Sequence, residues 1–391
     1  VHSNRVHSFT LYRMTFPKLS DILEIIDKKY SFSISEKWDN SGLQLGEPAN
    51  EIRRIMVALD PLPAVIDEAI SLDCQLLVAH HPLLFTPLSQ INGSTCVGSS
   101  VLKAARNNLA VIAMHTNYDI AEEGLNDLLA SLIGLKQTLP LKKTDSAELS
   151  KLVSFIPVES FETVRQALLP YTESTGNYID CSFSCLGEGT FLPLEGAKPA
   201  IGTIGNLEKL QEKRLELLVR RDSVSKMVQT LLKVHPYQEP AFDCYPLLNE
   251  TKVTGIGRVG AFPEPSKFKD IAASVGRKLG CTAVRMVGEP ERIISTVALC
   301  TGSGGSMITE AVKAGADLFI TGDIRYHEAR DAEALGLALL DAGHFATERI
   351  MVDAVAKFLE TSFAHSDQRA ELFRSNSEQD PFKNVVIEEL N

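Results

Sequence analysis

Four histidines follow short apolar runs in this chain: His80 and His81 after residues 76–79, His115 after residues 109–114, and His344 after residues 337–340. Two carboxylates share a spacing, Asp119 four residues beyond His115 and Glu348 four residues beyond His344. Neutral imidazole and ionised carboxylate ligate a divalent metal at pH 7 without the deprotonation that a thiol requires. The set suits zinc, iron, manganese or nickel in N/O coordination, with enough donors for two ions if a carboxylate bridges them. No cysteine adjoins it, which argues against a structural zinc knot. Taken singly, His80 or His81 reads equally well as a core imidazole bonded to a backbone carbonyl, and one His-x3-acid pair arises by chance. His115 reads as a ligand or as a partner that orients one.

The elements that must position these residues show in the apolar periodicity. Residues 19–30 carry helical spacing, with Ser20 and Asp21 at the start. Residues 55–59, 76–79 and 109–114 read as buried strands, and 64–71 and 101–108 as helices between them, a βαβαβ pattern with largely parallel strands. The pattern recurs. Val297-Ala298-Leu299 repeats Val57-Ala58-Leu59, and Glu310-Ala311-Val312 repeats Glu68-Ala69-Ile70. The match then runs without a gap, so that Leu318-Phe319-Ile320 falls on Leu76-Leu77-Val78 and Asp323 on His81. A helix over 327–335 and a strand over 337–340 lead to His344. Both copies end in a His-x3-acid motif past a strand, which favours duplication over shared propensity. Ligand sites in open α/β sheets lie at carboxyl ends of strands, where these histidines fall.

Between the copies, residues 148–250 differ in character. A strand at 152–157, a helix at 158–169, strands at 178–186 and 214–219, a helix at 223–233 and a strand at 242–247 give the βαββαβ order of an inserted ferredoxin-like α+β domain. Residues 187–205, rich in glycine, read as a mobile or ligand-facing loop. The expectation is an α/β protein with two similar βαβ-based lobes, 14–147 and 251–391, packed around a metal cleft, with the insert at 148–250.

Composition narrows the function classes. The 391 residues are 44% hydrophobic and 23% charged, as in folded globular chains. The net charge is −11 with no dense Lys/Arg cluster, which makes nucleic acid an unfavourable partner. No apolar run approaches the ~18 residues of a membrane helix. Seven cysteines, an odd number without a C-x-x-C pair, argue against a disulfide framework and fit a reducing cytoplasm. Residues 1–13 hold two Arg, two His and no acid before Met14, and read as a targeting remnant or an upstream extension.

Other motifs compete less well. Gly302-Ser303-Gly304-Gly305 fits an anion at a helix N-terminus or a plain tight turn. Asp323 and His327, after the second-copy strand, are the candidate acids lining the cleft, with cap and helix roles as the alternative. His235-Pro236-Tyr237 shapes a turn. Trp38-Asp39-Asn40-Ser41-Gly42 reads as a turn with a buried aromatic, Asp39 helping to wall the pocket.

In order, Trp38-Asp39-Asn40-Ser41-Gly42-Leu43-Gln44, His80-His81-Pro82-Leu83, His115-Thr116-Asn117-Tyr118-Asp119, Thr321-Gly322-Asp323 and Gly343-His344-Phe345-Ala346-Thr347-Glu348 resemble the motifs of the Nif-three-like family, often labelled GTP cyclohydrolase I type 2 homologue. Asp380-Pro381-Phe382 resembles its closing motif, so the likeness runs from about residue 16 to the carboxyl end. The stretch His235-Pro236-Tyr237-Gln238-Glu239-Pro240 resembles the insert of longer members, whose fold is similar to PII and CutA trimers; Gln238 stands where many members have Glu. The resemblance implies a toroidal hexamer, with the insert helping trimer contacts. It also implies a two-metal site held by His80, His81, Asp119, His344 and Glu348, with His115 close by. Two readings follow. One is a metal-dependent hydrolase, cyclohydrolase-like, in which the ions lower the pKa of water for attack on a nucleotide-like molecule, assisted by an acid such as His327 or Asp323. The other is a metal-handling or regulatory assembly without turnover, its insert sensing a small molecule.

Overall fold

The computed structural model describes residues 15–144, 149–175, 178–248 and 254–384. The segment before Met14 and the expected boundaries near 147 and 250 lie outside them. Residues up to Thr144, together with those from Thr254 onward, form one compact unit, and the residues between form a second.

In the first unit the chain forms α1 (Leu19–Lys29), β1 (Gly42–Leu45), β2 (Arg54–Ala58), α2 (Pro63–Ser71), β3 (Leu76–Ala79), α3 (Cys96–Arg106), β4 (Ala110–Ala113), α4 (Thr116–Ile120), α5 (Leu125–Ile133) and β5 (Lys136–Lys143). Local chemistry sets their ends. Asp21 accepts the Lys18 N–H at the start of α1, Pro63 opens α2, the Thr95 hydroxyl caps α3 at Gly98 N, and Gly134 at φ 94 closes α5.

The second unit runs β6 (Leu149–Pro157), α6 (Phe161–Leu168), β7 (Ser182–Phe191), β8 (Glu208–Arg220), α7 (Val224–Val234) and β9 (Phe242–Pro246). Its sheet is antiparallel throughout, in the order β7-β8-β6-β9. Leu152, Ile156, Leu215 and Leu217 bury one face against Val164 and Leu168 of α6 and Met227 and Leu231 of α7. Only the first five residues of the glycine-rich segment 187–205 differ from its reading as a loop. Gly187 and Gly189 lie inside β7, paired with β8 as far as Phe191 and Glu208. A Cβ at Gly189 would overlap the Glu212 carboxylate, so glycine here makes room within a ladder.

The chain re-enters the first unit with β10 (Gly255–Lys267), α8 (Phe268–Leu279), β11 (Arg285–Val287), β12 (Ile293–Ser303), α9 (Ile308–Lys313), β13 (Leu318–Gly322), α10 (Tyr326–Ala334), β14 (Ala338–Asp341), α11 (His344–Arg349), α12 (Met351–Ala364) and β15 (Glu371–Arg374). Two mixed sheets result, ordered β1-β4-β3-β2-β15 and β11-β14-β13-β12-β10-β5. Their central strands β2, β3, β4 and β12, β13, β14 are parallel, and helices cover both faces, which is why these strands read as continuous apolar runs.

The halves of the sequence do not each build one sheet. α5 and β5, from before the second unit, pack on and extend the second sheet, whereas α12 and β15, from the end of the chain, pack on and extend the first. A division into lobes at 14–147 and 251–391 therefore cuts across both cores. Arg258 of β10 reinforces the exchange: its buried guanidinium pairs with Asp127 of α5 and donates to the Ala121 carbonyl at 2.9 Å.

Candidate metal centre

The strand ends of both sheets converge on one cluster of imidazoles and carboxylates. His80 and His81 directly follow β3, His115 precedes α4, and His344 opens α11. His344 and Glu348, four apart on α11, share one helix face, as Asp119 follows His115 through α4. Ring centroids lie 5.0 Å apart for His80 and His81, 5.3 Å for His80 and His115, and 5.4 Å for His81 and His344.

Each of the four imidazoles has its Nδ1 held from behind. His80 Nδ1 donates to the Met114 carbonyl, His81 Nδ1 to Asp60, His115 Nδ1 to Asp39 and His344 Nδ1 to Asp323, each at 2.7 Å. All four partners accept, so in every neutral ring the proton sits on Nδ1 and the lone pair on Nε2. With every ring neutral and its proton on Nδ1, the buried His80 Nε2 and Glu348 Oε2 have no hydrogen-bond donor. Buried polar atoms are ordinarily satisfied, and an orphaned imidazole nitrogen beside an orphaned carboxylate oxygen is what a cation would complete.

The separations fit that role. Two donors ~2.1 Å from one ion at a tetrahedral angle lie about 3.4 Å apart. His344 Nε2 is 3.4 Å from His81 Nε2 and 2.9 Å from Glu348 Oε2, which is 3.1 Å from His81 Nε2. Glu348 Oε1 and Asp119 Oδ1 each lie 3.8 Å from His80 Nε2. Among the described residues, His80, His81 and His115 form one group able to hold an ion, and His81, His344 and Glu348 another. His81 belongs to both, and its single Nε2 lone pair serves one ion at a time. Glu348 spans the cluster, one oxygen toward His80 and the other toward His81 and His344.

The metal-free electrostatics follow from burial against pairing. Burial opposes the His81 imidazolium, yet its bonds to Asp60 and Glu348 raise it to about 10; His344, bonded to Glu348 and Asp323, is raised to about 9. Burial would raise Glu348, but His80, His344 and His81 hold it well below the usual carboxylate range. Burial pushes Asp119 up against the pull of His80. Asp39, despite burial, is held low by His115 and Thr116.

The structure brings His80, His81, His115, Asp119, His344 and Glu348 together. Asp119 stands outside both groups, receiving the Thr301 hydroxyl at 3.4 Å. Asp323, at φ 56 and with its side chain 46% exposed, anchors His344 Nδ1 through Oδ2. His327 lies exposed on α10, edge-on to Tyr326 at 5.4 Å. Trp38 is not buried but 61% exposed, 6.1 Å edge-on from both Phe85 and His115. The glycine turn is no anion cradle, since Gly302 N–H is donated to Thr347 and Gly304 N–H to Thr321. Instead, a Cβ at Gly302 would overlap the Glu348 carboxylate. Asp60 went unnoticed in the sequence; its one signal is its place at the end of β2, beside the strand that ends in His81. In the sequence repeat Asp323 corresponds to His81, so one position carries an imidazole in the first copy and an imidazole's anchor in the second.

The family model described as Duf34/NIF3 (NGG1p interacting factor 3) matches residues 17–381. A GTP cyclohydrolase 1 type 2 homolog of Halalkalibacterium halodurans is 38% identical over 362 residues, 92% of this chain and 97% of that protein. The Bacillus subtilis protein of the same name is 37% identical with the same coverage. The crystal structure of a Bacillus cereus protein related to NIF3 superposes with a TM-score of 0.79 at 36% identity, covering 95% of this chain and 100% of that one. With its fold matched along almost the whole chain and the family model spanning both sheets, the chain belongs to the Duf34/NIF3 family.

Proposed function

We propose that the chain binds two divalent metal ions and is a metal-dependent hydrolase, cyclohydrolase-like, acting on a nucleotide-like small molecule. The observation that carries this reading is the convergence of the His80, His81 and His344 Nε2 atoms on a buried carboxylate whose two oxygens face different imidazoles, with His115 grouped beside His80 and His81 and every Nδ1 anchored. His80, His81, His115, His344, Asp119 and Glu348 would hold the ions. Zinc, iron, manganese and nickel all suit these donors. Bound ions supply Lewis acidity and lower the pKa of water toward neutrality. The chain's own residues orient and exclude: Asp60, Asp39 and Asp323 fix the rings, and Asp323 is a positioning residue. Trp38 and Phe85, exposed beside His115, offer a stacking wall for a flat heterocycle. The name borne by the relatives supports a substrate of that class.

The βαββαβ order of the second unit supports a ferredoxin-like, PII/CutA-like insert, and exposed Phe183 and Leu186 on β7 support self-association, which we read as a toroidal hexamer. No helix among the described residues is long and apolar enough to cross a membrane, and with seven unpaired cysteines the proposed location is the cytoplasm.

Elemental analysis of chelator-free protein beside a His344→Ala, Glu348→Ala double variant tests the site: about two ions per chain, lost in the variant, are expected. Equal metal in both overturns it. Turnover of GTP and other nucleotides by metal-loaded protein, abolished by Glu348→Ala, is expected of the hydrolase; metal without turnover favours the handling or regulatory assembly.

A further inference from the structure

We propose that the second compact unit carries a ligand site of its own, built around the buried carboxylate of Glu212, for a flat aromatic molecule bearing an amidinium or an equivalent pair of adjacent N–H donors. The cavity measures about 550 Å³, within the ~300–1,000 Å³ usual for small-molecule sites. It opens on the face of the sheet opposite α6 and α7: Phe155, Glu212 and Arg214 alternate with the residues that face those helices. The segment after β7, carrying Pro193 and Ile201, and the turn at Tyr237 and Gln238 complete its walls. That segment is tied down, because Lys198 N–H donates to the Gln238 side chain at 3.0 Å and Gly205 N–H to the Pro193 carbonyl at 2.9 Å.

Glu212 is 8% exposed, and its described hydrogen bond comes from the Tyr237 hydroxyl to Oε1 at 2.7 Å. The lining cation Arg214 is engaged elsewhere, its Nε donating to Glu216 at 2.9 Å and its guanidinium lying 5.7 Å from the Phe155 ring centre. A carboxylate withdrawn from water without a cation is expensive unless donors reach it. The sheet leaves a way in for them. Gly187 sits directly opposite Glu212 in the ladder, Gly189 follows on the same face, and neither places a side chain over the carboxylate. Phe191 and Tyr237, 5.7 Å apart and inclined at 61°, supply an aromatic corner. Carboxylate and aromatic wall together select a planar cation or N–H edge and reject an anion of the same shape.

The test uses the full chain and two isosteric probes, benzamidine and benzoate, followed by calorimetry and by ligand-detected NMR. Benzamidine is expected to bind and benzoate not to. Glu212→Gln should weaken benzamidine by about tenfold or more, the loss of one charge-assisted contact. Ala200→Trp, which puts a bulky ring into the cavity from another lining position, should abolish binding while the circular dichroism spectrum stays native. Chelator should leave binding unchanged, which separates this site from the metal cluster. Binding of benzoate as tightly as benzamidine, binding of neither, retention by both variants, or loss with chelator would each overturn the proposal.

Discussion

Gly302→Ala is the most direct probe of how the glycine turn and the imidazole cluster are coupled. Gly302 has φ +62, and a Cβ there would overlap Glu348 Oε1 and lie 3.2 Å from His344 Nε2. The left-handed backbone alone costs an alanine ~1 kcal/mol. Glu348 is buried and cannot retreat to water, so displacing it resembles overpacking a core, about 1–3 kcal/mol. The sum is roughly 2–4 kcal/mol, or a melting temperature lower by roughly 4–16 °C at ~2–4 °C per kcal/mol. Gly315→Ala isolates the backbone contribution, because Gly315 has φ +72 with nothing within 4 Å. It should lose ~1 kcal/mol and keep its metal. Thermal unfolding and elemental analysis of the two variants beside the native chain give the comparison. If Gly302→Ala matched Gly315→Ala in stability and held as much metal as the native protein, Gly302 would be a plain turn residue, uncoupled from the imidazole cluster.

Three further outcomes are expected. With His81 raised to about 10 and His344 to about 9 in the metal-free protein, at least one proton must leave on metal binding near neutral pH; affinity should therefore rise about tenfold or more per pH unit from roughly pH 7 to 8.5, where imidazoles of ordinary pKa would give a nearly flat titration. Asp60→Ala removes the anchor of His81 Nδ1 and should weaken metal binding by about 10–100-fold with little loss of helix content, as read by competition with a chromogenic chelator. Arg258→Met leaves Asp127 and the Ala121, Gly255 and Gly257 carbonyls without their shared donor, and should destabilise the first unit by about 3–5 kcal/mol in urea unfolding while the second unit's transition is unchanged.

The central strands were legible in the sequence because parallel strands covered on both faces must be apolar without interruption, as in Leu76–Ala79 and Leu318-Phe319-Ile320. The six clustered side chains were legible because ligands gather at carboxyl ends of such strands, and the His-x3-Glu spacing puts two of them on one helical turn. The family likeness rested on the same residues. What surrounds them was not legible. Asp60 and Asp39 reach His81 and His115 from far along the chain, and no local periodicity encodes a hydrogen bond between distant loops. Asp323 was visible as a cleft residue, but whether a carboxylate there faces a substrate or turns back to an imidazole depends on its backbone at φ 56. His327 lies on the right helix and on its exposed side, which a weakly patterned helix such as α10 does not declare. Edge strands were least determined of all. β5 and β15 each complete the sheet built mainly from the other half of the chain, because edge pairing is decided by which backbone is left unsatisfied once the cores have packed, and that is a property of the tertiary structure alone.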